Sequence, residues 1–202
     1  MNNITRIALA IGLITIIILS LYALFISSKT TGYDDQIVTE RAEKDIWLSN
    51  DFDSPFSVTN TPFQRLDYYE PNRSFRIEAK FIESVAKEEL TLITNTGESQ
   101  QYEIYGMAIF DVDGVSSILK LLKAEGSEKL FLPFMDATSG ESTYGAGRYL
   151  DLDIPFNEKI VLDFNKAYNP YCAYTSLYSC PFPPKANILT VAINAGEKTY
   201  NY

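Results

Sequence analysis

What most restricts the fold of this chain is a two-residue alternation of apolar and polar side chains that begins at Phe75 and keeps returning. In SFRIEAKFI, residues 74–82, Phe75, Ile77, Ala79 and Phe81 alternate with Arg76, Glu78 and Lys80. Successive side chains of a strand point to opposite faces, so this spacing predicts a strand with one face buried. LTLIT, QQYEIYGMAIF, LFLPFMD, KIVLDF and NILTVAI read as further strands, and TNTG at 94–97 and DVDG at 111–114 supply turns. SSILKLLK fits a helical period as well, but its eight residues between two strands favour a strand. With no βαβ rhythm and no internal repeat, the expected class is all-β, an antiparallel sandwich or barrel.

The N-terminal part is of another kind. Residues 7–26, IALAIGLITIIILSLYALFI, run for twenty positions without a charge. That length crosses the roughly 30 Å hydrocarbon core as a helix. The run exceeds the apolar region of a cleaved signal peptide, offers only a poor small-residue cleavage site, and is followed by no cysteine. An uncleaved single-pass transmembrane anchor is therefore expected. The short head carrying Arg6 stays inside and residues 27–202 lie outside the cytoplasm, on the cell envelope side. Residues 27–35 suit a flexible linker. In DDQIVTERAEKDIWLSN, Ile37, Val38, Ala42, Ile46 and Trp47 recur at helical spacing behind an acidic first turn, predicting a short juxtamembrane amphipathic helix docked through Ile46 and Trp47. Residues 54–74 hold three prolines and read as an extended wrapping segment. The expected division is residues 1–28 anchor, 29–49 linker and amphipathic helix, and 50–202 β-rich domain.

Charge narrows the function. A net charge of −9 over 202 residues argues against nucleic acid, whose phosphates demand a basic patch, and fits either solubility away from cytosolic polyanions or a cationic partner. The chain has no histidine, which removes the commonest general base and zinc ligand. No phosphate-cradling glycine motif occurs, so neither a metal nor a cofactor is expected.

The residues with chemical character gather in the last third. In DATSGESTYGAGRYLDLD, residues 136–153, Gly140, Gly145 and Gly147 surround hydroxyl side chains, as a ligand-cradling loop or a tight hairpin would. Alternation in RYLDLD places Arg148, Leu150 and Leu152 on one face and Tyr149, Asp151 and Asp153 on the other. An inward Arg148 needs a partner, with Asp136 and Asp163 as candidates; a structural ion pair and an anion-binding arginine both remain open. DFNKAYNPYCAYTSLYSCPFPP, residues 163–184, packs together four tyrosines, four prolines and both cysteines of the chain. Outside the cytoplasm Cys172 and Cys180 are expected to form a disulfide. Asp163 and Asn165 close turns, and Asn169-Pro170 marks another. Tyr168, Tyr171, Tyr174 and Tyr178 on such a loop would form an aromatic platform for sugars, peptides or cations. NAGEKTYNY ends the chain with a turn of exposed charges.

The strings F-M-D-A-T-S-G, T-Y-G-A-G-R-Y-L-D-L, D-F-N-K-A-Y-N-P-Y-C-A-Y, C-P-F-P-P-K-A-N-I-L and A-G-E-K, in this order, resemble the bacterial and archaeal family called domain of unknown function 1684. The resemblance spans about residues 54–198, is densest from 134 to 198, and excludes the anchor. It implies that Asp136, Thr143, Tyr144, Gly145, Gly147, Arg148, Asp163, Asn165, Asn169, Cys172 and Cys180 belong to one assembled feature, and it assigns them no chemistry.

Two functions compete, beside a third reading as a purely structural component of an envelope complex. In the first, the domain binds a small ligand or an envelope protein through its Tyr-rich loops, using Tyr144, Arg148, Asn165, Tyr168, Asn169 and Tyr174. In the second, it is an envelope hydrolase or transferase, with Asp136, Asp151 and Asp163 as acid and base and Arg148 holding an anion.

Overall fold

The alternation that starts at Phe75 becomes β1 (Arg76–Glu83) in the computed structural model, which describes residues 12–13, 15–18, 20 and 32–201. Six more strands come after it: β2 (Glu89–Ile93), β3 (Ser99–Val112), β4 (Val115–Lys123), β5 (Lys129–Phe134), β6 (Arg148–Asp153) and β7 (Lys159–Asp163). Every pairing is antiparallel, in the order β6-β5-β4-β3-β1-β7, with β2 added on β3. SSILKLLK is a strand, paired with β3 from Val115 to Lys123. In DVDG, Asp113 (φ 49°) and Gly114 (φ 76°) form the two-residue loop between the partners Val112 and Val115. Left-handed backbone at both positions matches the twist of the strands.

The sheet curls into a nearly closed barrel. Its two edges meet where Tyr149 of β6 and Tyr168, just beyond β7, exchange backbone hydrogen bonds of 2.9 and 3.0 Å. An open edge would offer unpaired backbone groups to other chains; this seam uses some of them. The inward faces are those the alternation marks. Ala79, Phe81, Leu119, Leu121, Leu130, Leu132, Leu150, Leu152, Ile160 and Leu162 belong to one buried cluster.

Between β4 and β5 the ladder thins to the single pair Leu122 and Phe131, and Pro133 in β5 has no N–H to give. Asn187 fills the gap. Its Oδ1 accepts from Lys120 N at 2.7 Å, and its Nδ2 donates to the carbonyls of Lys120 and Pro133, both at 2.9 Å. This corrects the expectation of a strand at NILTVAI. Asn187 lies in a short 3-10 turn, Lys185–Asn187, and the residues after it make only an isolated bridge, Met135 with Ile188. Their backbone groups bond the backbone of Met135 and Ala137, just past β5, and the side chains of Arg148 and Asp136, without forming a continuous ladder.

Ahead of the barrel come α1 (Tyr33–Asn50) and α2 (Pro55–Thr59). The chain divides into two compact units, Met1–Gln36 and Ile37–Tyr202, and the barrel, its seam and its loops all belong to the second. The helix begins at Tyr33, so the linker expected over residues 27–35 is helical from there on. Its docking face also differs from the expected one. Ile37 and Leu48 are buried, whereas Val38 and Ile46 are more than half exposed. Residues 37, 41, 44 and 48 share a helical stripe, so Arg41 and Lys44 point at the barrel. Arg41 donates to the carbonyls of Tyr69 (2.7 Å) and Asn165 (3.1 Å), its guanidinium 4.5 Å from the centre of the Tyr68 ring. A reading of apolar periodicity alone misses a face held by cations. The segment expected to be extended over 54–74 contains α2, capped by the Ser54 side chain, which accepts from Ser57 N, and started by Pro55.

Thirteen of the twenty residues of the apolar run 7–26 lie outside the described residues. Among the described residues no helix is long and apolar enough to cross a membrane.

Candidate functional site

On the outside of the seam, the loops after β7 and the helix α1 enclose a cleft of about 610 Å³. Residues 163–184 supply most of it. After β7 the chain makes two short 3-10 turns, Phe164–Lys166 and Tyr171–Ala173, the first capped by Asp163, whose carboxylate accepts from Asn165 N. Pro170, Pro181 and the seam bonds fix this course, and Phe131, Tyr149 and Asp151 project outward from β5 and β6 to form the opposite wall.

The walls are aromatic. Trp47 stacks on Tyr171 at 6.4 Å between ring centres, and Tyr171 meets Tyr178 edge-on at 5.1 Å. Across the cleft, Tyr149 stands nearly perpendicular to Phe131 (4.7 Å, 77°) and to Tyr168 (5.9 Å, 89°). The Tyr149 hydroxyl donates to Pro181 O at 2.6 Å, and that of Tyr168 to Asp151 Oδ2 at 2.9 Å. Burial, the leading cause in each case, raises the phenol pKa of Tyr149, Tyr168 and Tyr171, so these rings stay neutral at physiological pH.

Lys44 enters from α1 with its ammonium 4.9 Å from the centre of the Tyr168 ring. It is neutralised by Glu197, whose Oε1 it reaches at 2.5 Å. Glu197 is only 1% exposed, and its other oxygen accepts from Asn169 N (2.8 Å) and the Tyr174 hydroxyl (2.5 Å). The turn of exposed charges expected at AGEK is therefore corrected: its carboxylate is a buried node. Gly196 makes this possible. It adopts φ 77°, and a Cβ there would come within 2.6 Å of Ala167 O and 2.7 Å of Phe164 O.

Arg148 sets the register of that segment from inside. It is fully buried; Nη1 donates to the carbonyls of Ala195 and Glu197, and Nη2 to Ile193 O and Asp136 Oδ2, both at 2.9 Å. The other oxygen of Asp136 accepts from the backbone and hydroxyl of Thr138 and from Ile193 N. Thr138 and Thr143 join their hydroxyls at 2.8 Å, so DATSGEST is a closed turn around a buried carboxylate. Of the two open partners of Arg148, the structure selects Asp136. Asp163 instead lies 3.9 Å from Arg76 and accepts from Asn165 Nδ2 at 3.1 Å.

The expected disulfide is corrected. Cys172 and Cys180 are free thiols. Hydrogen bonds take the place of the bridge: Cys172 N donates to Cys180 Sγ at 3.3 Å, and the Cys172 thiol donates to the same sulfur. The thiol–thiol bond, foremost, lowers the pKa of Cys180 to about 7, and as donor Cys172 is pushed up. Cys180 lines the cleft; Tyr144 places its hydroxyl 4.0 Å from Cys172 Sγ.

Of the residues singled out by sequence, Asp151, Tyr168, Tyr171, Tyr178 and Cys180 line the cleft. Asp136, Arg148, Asp163, Asn165, Asn169 and Tyr174 are buried and bonded within the protein. Asn165 spans Asn72, accepting from its N at 2.8 Å and donating to its O at 2.9 Å, and Asn169 Nδ2 donates to Lys198 O at 2.8 Å. Lys44, Phe131, Tyr149 and Glu197 were not marked as site residues by the sequence. Trp47 carried a usable signal, as the single tryptophan of the chain on a short helix.

The solution NMR structure of an uncharacterized protein of Haloarcula marismortui is similar to this chain, with 34% identity and a TM-score of 0.63. The match covers 83% of this chain and 94% of that one. No curated protein matches. A family model described as "protein of unknown function (DUF1684)" matches residues 61–198, the stretch that holds the barrel, the Asp136–Arg148 pair, the cysteines and Glu197, and the chain belongs to that family.

Proposed function

We propose that this protein is a binding module, tethered to the membrane by residues 7–26 on the outer side of the cytoplasmic membrane, that takes a small organic ligand in the aromatic cleft at the barrel seam. The observation that carries the reading is the cleft itself. Pockets for small ligands are concave, largely apolar and supplied with a few fixed polar groups. Here aromatic rings from α1, β5, β6 and the 163–184 loop face one space, with Asp151, Lys44 and the Cys180 sulfur at its edges. The loop is braced by buried polar bonds before any ligand arrives, which lowers the ordering cost of binding.

The competing enzymatic reading required two carboxylates in one cleft and an arginine free to hold an anion. Asp136 and Arg148 are bonded to each other in the core, Asp163 is paired elsewhere, and Asp151 is the one of the three aspartates that reaches the cleft. This favours binding over acid–base turnover.

Trp47 lines the cleft and is the only tryptophan, so intrinsic fluorescence reports on the site directly. A fragment library screened against the full chain in detergent micelles is expected to give saturable changes in Trp47 emission. Tyr168→Ala is expected to abolish them while leaving the folded baseline in place. Saturable binding that survives Tyr168→Ala and Tyr171→Ala would move the site elsewhere. The tether is checked by fractionation: the full chain is expected in the membrane pellet after an alkaline carbonate wash, and its release by that wash would rule the anchor out.

A further inference from the structure

Resting on the cleft-binding reading above, we infer that the ligand is an organic cation, an amine or quaternary ammonium group held by the aromatic rings and by Asp151.

Three observations converge on this class. First, ring faces in the cleft are set at steep angles to one another, 89° between Tyr149 and Tyr168, 77° between Tyr149 and Phe131, and 74° between Tyr171 and Tyr178. These rings, with Trp47, line one cleft, and any ring face that the neighbouring edges leave open attracts a cation without hydrogen bonds.

Second, the charge balance of the cleft is negative. Lys44 is neutralised by the buried Glu197, so this pair contributes no net charge. Asp151 is exposed and accepts the Tyr168 hydroxyl, and among the described residues it has no ion-pair partner. The chain as a whole carries −9, which raises the local concentration of cations.

Third, the cleft already accommodates an ammonium group. Lys44 Nζ sits 4.9 Å from the centre of the Tyr168 ring, so this wall has cation–π character in the unliganded protein. A ligand cation would occupy the neighbouring faces of Trp47, Tyr171 and Tyr178 while Lys44 remains tied to Glu197.

The test compares choline with its uncharged isostere 3,3-dimethylbutan-1-ol, titrated into the full chain in non-ionic micelles and followed by Trp47 emission. Choline is expected to bind at least about tenfold more tightly than the alcohol, the gap that a partly desolvated cation–π site with a nearby carboxylate provides. Asp151→Asn should close most of that gap by weakening choline far more than the alcohol; Asp151 is exposed, so the variant keeps its fold, checked by an unchanged melting temperature. Equal affinities for the two probes would overturn the cation assignment while leaving the cleft as a binding site. A gap that persists in Asp151→Asn would overturn the role of the carboxylate. If neither probe perturbs Trp47, the assignment falls, and if the fragment screen is also silent the cleft-binding reading falls with it.

Discussion

Glu197 receives Lys44 from α1 and Asn169 and Tyr174 from the loop after β7, so one buried carboxylate ties the helix to the loop that walls the cleft. Removing it leaves an ammonium, a buried N–H and a buried phenol without their acceptor. Glu197→Ala is expected to cost about 3–5 kcal/mol, as breaking other buried charge pairs does, with Glu197→Gln recovering part of it. Urea unfolding measures this; a loss below about 1 kcal/mol, the ordinary worth of a single hydrogen bond, would show that the node is not structural. Cys180 makes a sharper residue-scale prediction. Its pKa is lowered to about 7 by the hydrogen bond from the Cys172 thiol, against about 8.5 for a free cysteine. Only the thiolate alkylates, so iodoacetamide modification of Cys180 should rise with pH through a midpoint near 7. Cys172→Ala removes the donor, destabilises the thiolate and should move that midpoint upward toward the ordinary value. A midpoint unchanged by the substitution would contradict the thiol–thiol bond.

At the scale of elements, the 163–184 loop is shaped by three devices: the backbone seam between Tyr149 and Tyr168, the Asn169 and Tyr174 bonds to Glu197, and the paired sulfurs of Cys172 and Cys180. The Cys172 backbone N–H already lies 3.3 Å from Cys180 Sγ. In oxidised glutathione buffer the two thiols would give up two protons and two electrons, leaving a protein disulfide and two reduced glutathiones. Closing so short a loop is expected to raise stability by about 2–3 kcal/mol in the chain-entropy picture. Thiol counting before and after oxidation, with urea melts of each form and of Cys172→Ser as control, checks this. An oxidised form no more stable than the dithiol would mean that the hydrogen bonds already supply the brace. The helix α1 shows how an element is recruited by charge: Arg41 and Lys44 lie on the stripe whose apolar members, Ile37 and Leu48, are buried.

Across the whole molecule, the alternating strands made the barrel legible in the residues alone, because burial of one face imposes a period of two on them. β1, β4 and β6 followed their patterns, and inward placement of Arg148 came from the same alternation. What periodicity does not encode is which groups close a sheet that lacks a full ladder. Asn187 replacing part of the β4–β5 pairing, and the carbonyls of residues 193, 195 and 197 turning to Arg148, depend on partners distant in sequence. NILTVAI reads as a strand for that reason and is not one. The cleft was legible in its tyrosines, Asp151 and Cys180; Lys44 and Trp47 come from a helix before the barrel, and Glu197 hides in a polar tail. Ligand binding at the outer face of the seam is tested by amide chemical-shift mapping of the labelled full chain titrated with choline. Shifts are expected to concentrate at residues 44–47, 149–151, 168–171 and 178–181, with the barrel interior unmoved. Saturable shifts confined to any other face of the barrel would contradict it.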